Sequence, residues 1–175
     1  GGVVAAEGFQ TGGVFCDIKR LGTGKGSNKG PKRDLALLVS DVPCSVGGMF
    51  TTNQVCAAPV KVCVARVAKG TAQGVVINSG NANACTGAQG LKAAEAMAAA
   101  VAQGLAIPVT HVFVGSTGVI GRVLPIDQVK EGIPTLIAKL SRTGGRQAAQ
   151  AILTTDLRPK TIVVQARIGG QIVTI

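Results

Sequence analysis

The sequence predicts an α/β protein with mixed strands and at least three helices. Three observations carry that prediction. Short apolar runs at 35–39, 74–77 and 112–114 have the length and β-branched content of buried strands, and most are bounded by glycine, asparagine or proline. One long stretch, Gly87 to Gly104, repeats its apolar residues at threes and fours. No internal repeat or linker divides the 175 residues, so the expectation is a single domain over 1–175 with its own core.

Taken in order, Val3 to Ala6 and Gly13 to Ile18 read as two short strands about a turn at Gly8 to Gly12. Leu21 to Lys32, with four glycines and one proline, reads as a loop. Its GTGKG run lacks the Ser or Thr that follows the lysine of a phosphate loop, so no nucleotide site is assigned there. Leu35 to Val39 and, beyond Pro43, Val46 to Thr51 read as neighbouring strands. Val60 to Arg66 fits strand and helix equally, and Gly74 to Ile77 reads as a strand ending at Asn78. The run Asn78 to Gly87 reads as a self-bonded turn with a helix cap near Thr86, because asparagine bonds nearby backbone and tolerates left-handed geometry. The helix from Gly87 to Gly104 presents Leu91, Ala94, Ala98, Val101 and Leu105, flanked by Met97. A second helix starts at Pro125, with a kink or break expected at Pro134 near Gly132. A third covers Arg146 to Leu153. Lys160 to Arg167 and Gln171 to Ile175 form a hairpin about Gly169-Gly170.

Composition narrows the function. Hydrophobic residues make up 46%, with no Trp or Tyr and four Phe, so the core is aliphatic and the stacking platforms of single-strand nucleic-acid binders are missing. The net charge of +10 alone suggests nucleic acid. Yet six of the eighteen basic residues, Lys19, Arg20, Lys25, Lys29, Lys32 and Arg33, fall in one glycine-rich stretch, which fits a solvated loop, and an acidic partner would offset the rest. The five cysteines form no C-x-x-C and share one histidine, so no metal site is expected and the thiols read as reduced and buried, in a reducing compartment. No apolar run approaches the ~20 residues of a membrane helix. The chain opens at Gly1-Gly2 without Met, so an upstream segment, a targeting peptide included, is left open.

The stretch with most chemical content is Val112-Phe113-Val114-Gly115-Ser116-Thr117-Gly118-Val119-Ile120-Gly121. An apolar strand runs there into glycines, where the hydroxyl of Thr117 and the N–H of Gly118 can converge on one developing negative charge; an ordinary glycine-rich turn is the alternative. His111 reads as the end of a strand, and Glu95, Asp127 and Glu131 as exposed helix positions. Asp156, beside Thr154 and Thr155, reads as a cap or turn residue. The chain thus offers an anion-stabilising corner without a nucleophile or base, half of an active site.

The motifs VINSGNANACTG (76–87), GSTGVIG (115–121) and ILTTD (152–156), in this order, closely resemble those of the ornithine acetyltransferase family, the bifunctional arginine-biosynthesis enzymes with glutamate N-acetyltransferase and amino-acid acetyltransferase activities. DLALLVS (34–40) and MFTTN (49–53) resemble its early segments. The resemblance implies a layered αββα-type sandwich, N-terminal-nucleophile-like but distinct in topology, shared with self-processing aminopeptidases. It implies a precursor that cuts itself before a threonine, this chain being the α chain and the new threonine of the β chain the nucleophile, in an α2β2 heterotetramer. Acetyl passes from N2-acetylornithine to glutamate by a ping-pong route with no bound cofactor; some members also use acetyl-CoA as donor, and its use here is left open by the sequence. Thr117 and Gly118 match the oxyanion pair, and Thr154 a substrate-contacting threonine. The glycine-rich segment with a substrate-binding lysine that precedes the cleavage site lies past Ile175; a disordered tail and a truncated chain are both open. No nucleic acid or membrane partner is implied, and the location expected is the cytoplasm, or an organelle interior in a eukaryote. A self-processing amidase and a basic RNA-binding module are the alternatives.

Overall fold

The computed structural model describes residues 2–23, 32–156 and 158–175. Its centre is a four-stranded sheet in the order β1 (Phe9–Val14), β2 (Leu35–Ser45), β3 (Thr71–Asn81), β4 (Val112–Val119). The first two pairings are antiparallel, and β3 with β4 is parallel. The parallel pair needs a crossover, supplied by α3 (Gly87–Leu105), the helix read from the threes and fours of its sequence. The other helices are α1 (Ile18–Thr23), α2 (Ala58–Val67), α4 (Ile126–Ala138) and α5 (Gly145–Ala151). A separate hairpin pairs β5 (Gln165–Ile168) with β6 (Gln171–Thr174) around Gly169 and Gly170, both at positive φ.

The period-two pattern of the strands assigns the faces. Leu35, Leu37, Val76, Val112 and Val114 join Val62, Met97, Val101, Val129, Ile133 and Leu136 in the main core, so α2, α3 and α4 contribute to one helical layer. Ala36 points the other way, onto Ala148 and Ala151 of α5. Because α5 is short, Leu38, Val75 and Ile77 stay half-buried and line a cleft of about 320 Å³ with Ile152, Leu153 and Asp156.

Several expectations are corrected. Val3 to Ala6 is no strand: Gly2–Val4 is a 3-10 turn, and the supposed turn at Gly8 to Gly12 lies mostly within β1. Gly12 and Gly13 serve packing there, since a Cβ on Gly12 would stand 3.1 Å from the Lys139 carbonyl oxygen and one on Gly13 2.7 Å from the Gln147 carbonyl carbon. The strand ends at Val14, and Ile18 already opens α1. Of the loop read at Leu21 to Lys32, residues 21–23 are helical, and 24–31 lie outside the described residues. Val46 to Thr51 forms no strand; β2 instead runs on to Ser45, and its pairing lapses between Val39 and Cys44, where Pro43 has no ladder bond to donate. The ambiguous Val60 to Arg66 is helical. Helix α4 continues past Pro134 to Ala138 without the expected break. His111 sits in a 3-10 turn before β4, and the hairpin's first strand begins only at Gln165. No described helix is long and apolar enough to cross a membrane.

Candidate functional site

The C-terminal ends of the parallel strands β3 and β4 carry the candidate residues. Neither strand stops where the sequence suggested. Asn78 to Asn81 continue β3, and Gly115 to Val119 continue β4, so the expected turns are strand broken by a bulge. At that bulge Gly80 pairs with Gly118, and Asn81 is partnered by both Thr117 and Val119. Both glycines have positive φ, +107° at Gly80 and +134° at Gly118. A Cβ on Gly118 would fall 2.6 Å from the Asn81 nitrogen, so the two backbones meet without side chains between them. Gly118 is exposed and Thr117 half-buried; among the described residues no hydrogen bond engages the Thr117 hydroxyl.

Buried polar side chains hold this end of the sheet. Asn78, Ser79, Asn81 and Asn83 are each 0% exposed, and each is hydrogen-bonded, as burial of polar groups requires. The Ser116 hydroxyl donates to Asn78 Oδ1 (2.5 Å), tying β4 to β3 one residue before Thr117, and Asn78 Nδ2 donates to the Asn81 carbonyl (2.8 Å). Asn83 adopts φ +46° and donates from Nδ2 to the Gly90 carbonyl (2.9 Å). The cap at Thr86 is confirmed in position and corrected in chemistry: Thr86 stands at the N-cap of α3 with no side-chain cap bond, its hydroxyl donating instead to Asn83 Oδ1 (2.8 Å).

Thr154 reaches the same end of the sheet by another route. Ser79, the register partner of Thr117, donates its hydroxyl to the carbonyl of Ala151, the last residue of α5, and Thr154 lies three residues beyond, exposed. The cleft on the α5 face is lined by Leu153 and Asp156 on either side of it, while Thr117 and Gly118 do not line that cleft. Asp156 itself pairs with Lys160 at 2.6 Å in solvent and caps no helix.

Helix α1 closes the third side, which sequence reasoning missed. A Cβ on Gly80 would stand 2.6 Å from Lys19 Cα, so α1 rests on the strand at the bulge. Asp34, 0% exposed just before β2, fixes it by accepting the N–H groups of Cys16 (2.6 Å) and Lys19 (3.1 Å). Burial pushes the Asp34 carboxyl up, and the backbone N–H groups of Lys19, Cys16 and Ile18 pull it back down. Burial likewise lowers the Lys19 ammonium, with Asp34 opposing. The one sequence signal for this was an acidic residue opening an apolar run, which alternation alone does not distinguish from a surface carboxylate.

All five cysteines are free; Cys16 and Cys63 are buried, Cys44 and Cys56 half-buried, Cys85 exposed. No cluster among the described residues suits a metal ion. The arrangement brings together a half-buried hydroxyl at Thr117 and exposed backbone at Gly118, with Thr154 exposed three residues beyond the end of α5.

The glycine-bridged pair of parallel strands with a helical layer on one face is of the layered α/β, N-terminal-nucleophile-like class. The crystal structure of arginine biosynthesis bifunctional protein ArgJ from Bacillus halodurans superposes with a TM-score of 0.85 at 38% identity, over 100% of this chain and 87% of that one. Ornithine acetyltransferase from Mycobacterium tuberculosis, solved in complex with ornithine, matches with a TM-score of 0.81 at 37% identity, over 94% of this chain and 82% of that one. The ArgJ proteins of Thermosynechococcus vestitus and Symbiobacterium thermophilum are 47% and 49% identical across 100% of this chain. The ArgJ family's sequence model matches residues 13–175, and the chain belongs to the ArgJ family. It spans 40% and 42% of the length of those two curated relatives.

Proposed function

We propose that this chain is the α chain of an autoprocessed ornithine acetyltransferase, and that with its β chain it moves an acetyl group from N2-acetylornithine to glutamate. The observation that carries the reading is the likeness, over 94% of the chain, to an ornithine acetyltransferase crystallised with ornithine. The half-buried Thr117 hydroxyl beside the exposed backbone of Gly118 supports the reading, as does the length of the relatives, more than twice that of this chain. The β chain packs on the half-buried face of Leu38, Val75 and Ile77, completes the sandwich and brings its N-terminal threonine to the glycine bulge. Two such pairs form an α2β2 assembly.

In this mechanism the threonine hydroxyl of the β chain attacks the acetyl carbonyl of N2-acetylornithine. Its proton goes to the ornithine nitrogen, which leaves as the free amine, and an acetyl ester remains on the enzyme. The amine of glutamate then attacks that ester, giving N-acetylglutamate and the regenerated hydroxyl. Both steps pass through a tetrahedral intermediate whose oxygen is negative, and that charge sits at Thr117 and Gly118. One well-placed oxyanion donor contributes roughly 3–4 kcal/mol to such a step. Thr154 holds the acetylornithine skeleton, and the two transfers need no resident cofactor. Transfer of labelled acetyl from N2-acetylornithine to glutamate by the full precursor, with intact-mass detection of a second chain beginning in threonine, tests the reading. Release of acetate with no glutamate-dependent transfer would replace it with an amidase.

A further inference from the structure

Asn81 is the best-connected side chain of the site, and nothing in the proposed chemistry uses it. It stands at the bulge itself, partnered in register by Thr117 and Val119. Its Nδ2 donates to two successive carbonyls, Arg122 and Val123, each at 3.1 Å, and its Oδ1 accepts the N–H of Asn83 at 2.7 Å. The Asn81 carbonyl accepts from Asn78, which in turn accepts from Ser116. Two backbone bonds run alongside, Ala82 N–H to the Val119 carbonyl and Gly121 N–H to the Ala84 carbonyl, both 2.9 Å.

The chain leaving Thr117–Gly118 is thus clamped on both sides of Gly121, a residue with φ +78° at which an added Cβ would meet nothing within 4 Å. Glycines at 118 and 121 give this segment wide conformational freedom, and Asn81 is the side chain that ties its far end to β3. An aliphatic residue would fill the same buried space without desolvating an amide; what the amide adds is direction, since its two N–H groups meet two particular carbonyls.

We infer that Asn81 is a positioning residue for the Thr117–Gly118 pair, acting through the path of residues 119–123. This rests on the oxyanion reading proposed above. Asn81 touches no reacting atom; it fixes the peptide plane whose N–H faces the developing charge, and an ångström of drift there costs about a hundredfold in rate.

The test is a double-mutant cycle in the full two-chain protein, following acetyl transfer from N2-acetylornithine to glutamate. Asn81→Asp keeps the volume and the acceptor for Asn83 but turns an oxygen toward the Arg122 and Val123 carbonyls. Its kcat is expected to fall about ten- to a hundredfold with KM for N2-acetylornithine unchanged within about twofold. In a Thr117→Ala background the same substitution should lower kcat by a smaller factor than in the wild type, because only the Gly118 N–H is left for it to misplace. Asn81→Ser, which retains one donor in a smaller side chain, should fall between wild type and Asn81→Asp and serves if the aspartate variant does not fold. Equal factors in both backgrounds, a change confined to KM, or wild-type kcat in Asn81→Ser overturns the inference. Unchanged kcat in Thr117→Ala alone overturns the oxyanion reading beneath it, so the two failures are told apart.

Discussion

Replacing Gly118 by alanine tests the close approach on which the site geometry depends. The new methyl would sit at φ +134°, where side-chain-bearing residues are strained, and 2.6 Å from the Asn81 nitrogen against the Gly80 backbone. Backbone strain of this kind costs about 1–3 kcal/mol. Overpacking against main chain that cannot rotate away adds about 1–3 kcal/mol, so the sum is about 2–6 kcal/mol. Gly121→Ala is the matched control: φ is +78°, but nothing lies within 4 Å of the added methyl. It carries conformational strain without the collision, partly offset by about 0.4–1 kcal/mol from the stiffer unfolded chain. Equilibrium urea unfolding followed by far-ultraviolet circular dichroism suits a chain without Trp or Tyr. With a slope of about 2 kcal/mol per molar, Gly118→Ala should unfold roughly 1 M earlier than Gly121→Ala. Coincident midpoints for the two variants would refute the argument, since they would mean that β3 and β4 do not meet backbone to backbone at the bulge.

Other perturbations give separable outcomes. Thr154→Ala should raise KM for N2-acetylornithine while leaving kcat near wild type; a loss confined to kcat contradicts the substrate-holding role. Asp34→Asn removes one of the two carboxylate acceptors that fix Cys16 and Lys19 and should cost about 1–3 kcal/mol in urea unfolding. Because burial raises the folded-state pKa of Asp34, its contribution is fully present below the unfolded value of 3.8 and is lost as pH rises through the folded value. The amide introduced by Asp34→Asn does not titrate, so the penalty should be larger at low pH than at about pH 7, and the reverse order would refute the assignment. Asp41 runs the other way: bonds from Arg142 and Gln10 hold its pKa low, so its contribution is present above the ordinary carboxylate range and is lost as pH falls through the depressed value. The Cys16 thiol is buried and pushed up to about 12, while Cys85 is exposed, so iodoacetamide should label Cys85 in the folded chain well before Cys16; simultaneous labelling would show that the core opens.

What the sequence made legible follows from which signals are local. The α3 stripe of Ala94, Met97, Ala98 and Val101 is buried as its spacing requires, and the glycine pair at 169–170 turns the hairpin. Of Leu35 to Val39, read as a buried strand, Leu35 to Leu37 are buried and Leu38 and Val39 only half-buried. The misreadings are glycines and asparagines whose reasons are tertiary. Gly12 looked like a turn residue because its real neighbour, the carbonyl of Lys139, is more than a hundred residues away. Asn78 and Asn81 looked like loop residues because their partners, Ser116, Arg122 and Val123, lie on the far side of the α3 crossover. At 115–121 the permissive glycine was legible, since Gly118 takes a positive φ, although the conformation is strand rather than turn. The carboxylate of Asp34 gave no local sign that it anchors α1 against Gly80.

The most direct test of the central claim is steady-state acetyl transfer by the Thr117→Ala variant of the full two-chain protein, with N2-acetylornithine as donor and glutamate as acceptor. The account predicts kcat lower by about a hundred- to a thousandfold, with KM for the donor little changed, because the hydroxyl acts on the charge of the tetrahedral intermediate and not on the bound ground state. A folded variant with wild-type kcat would contradict it.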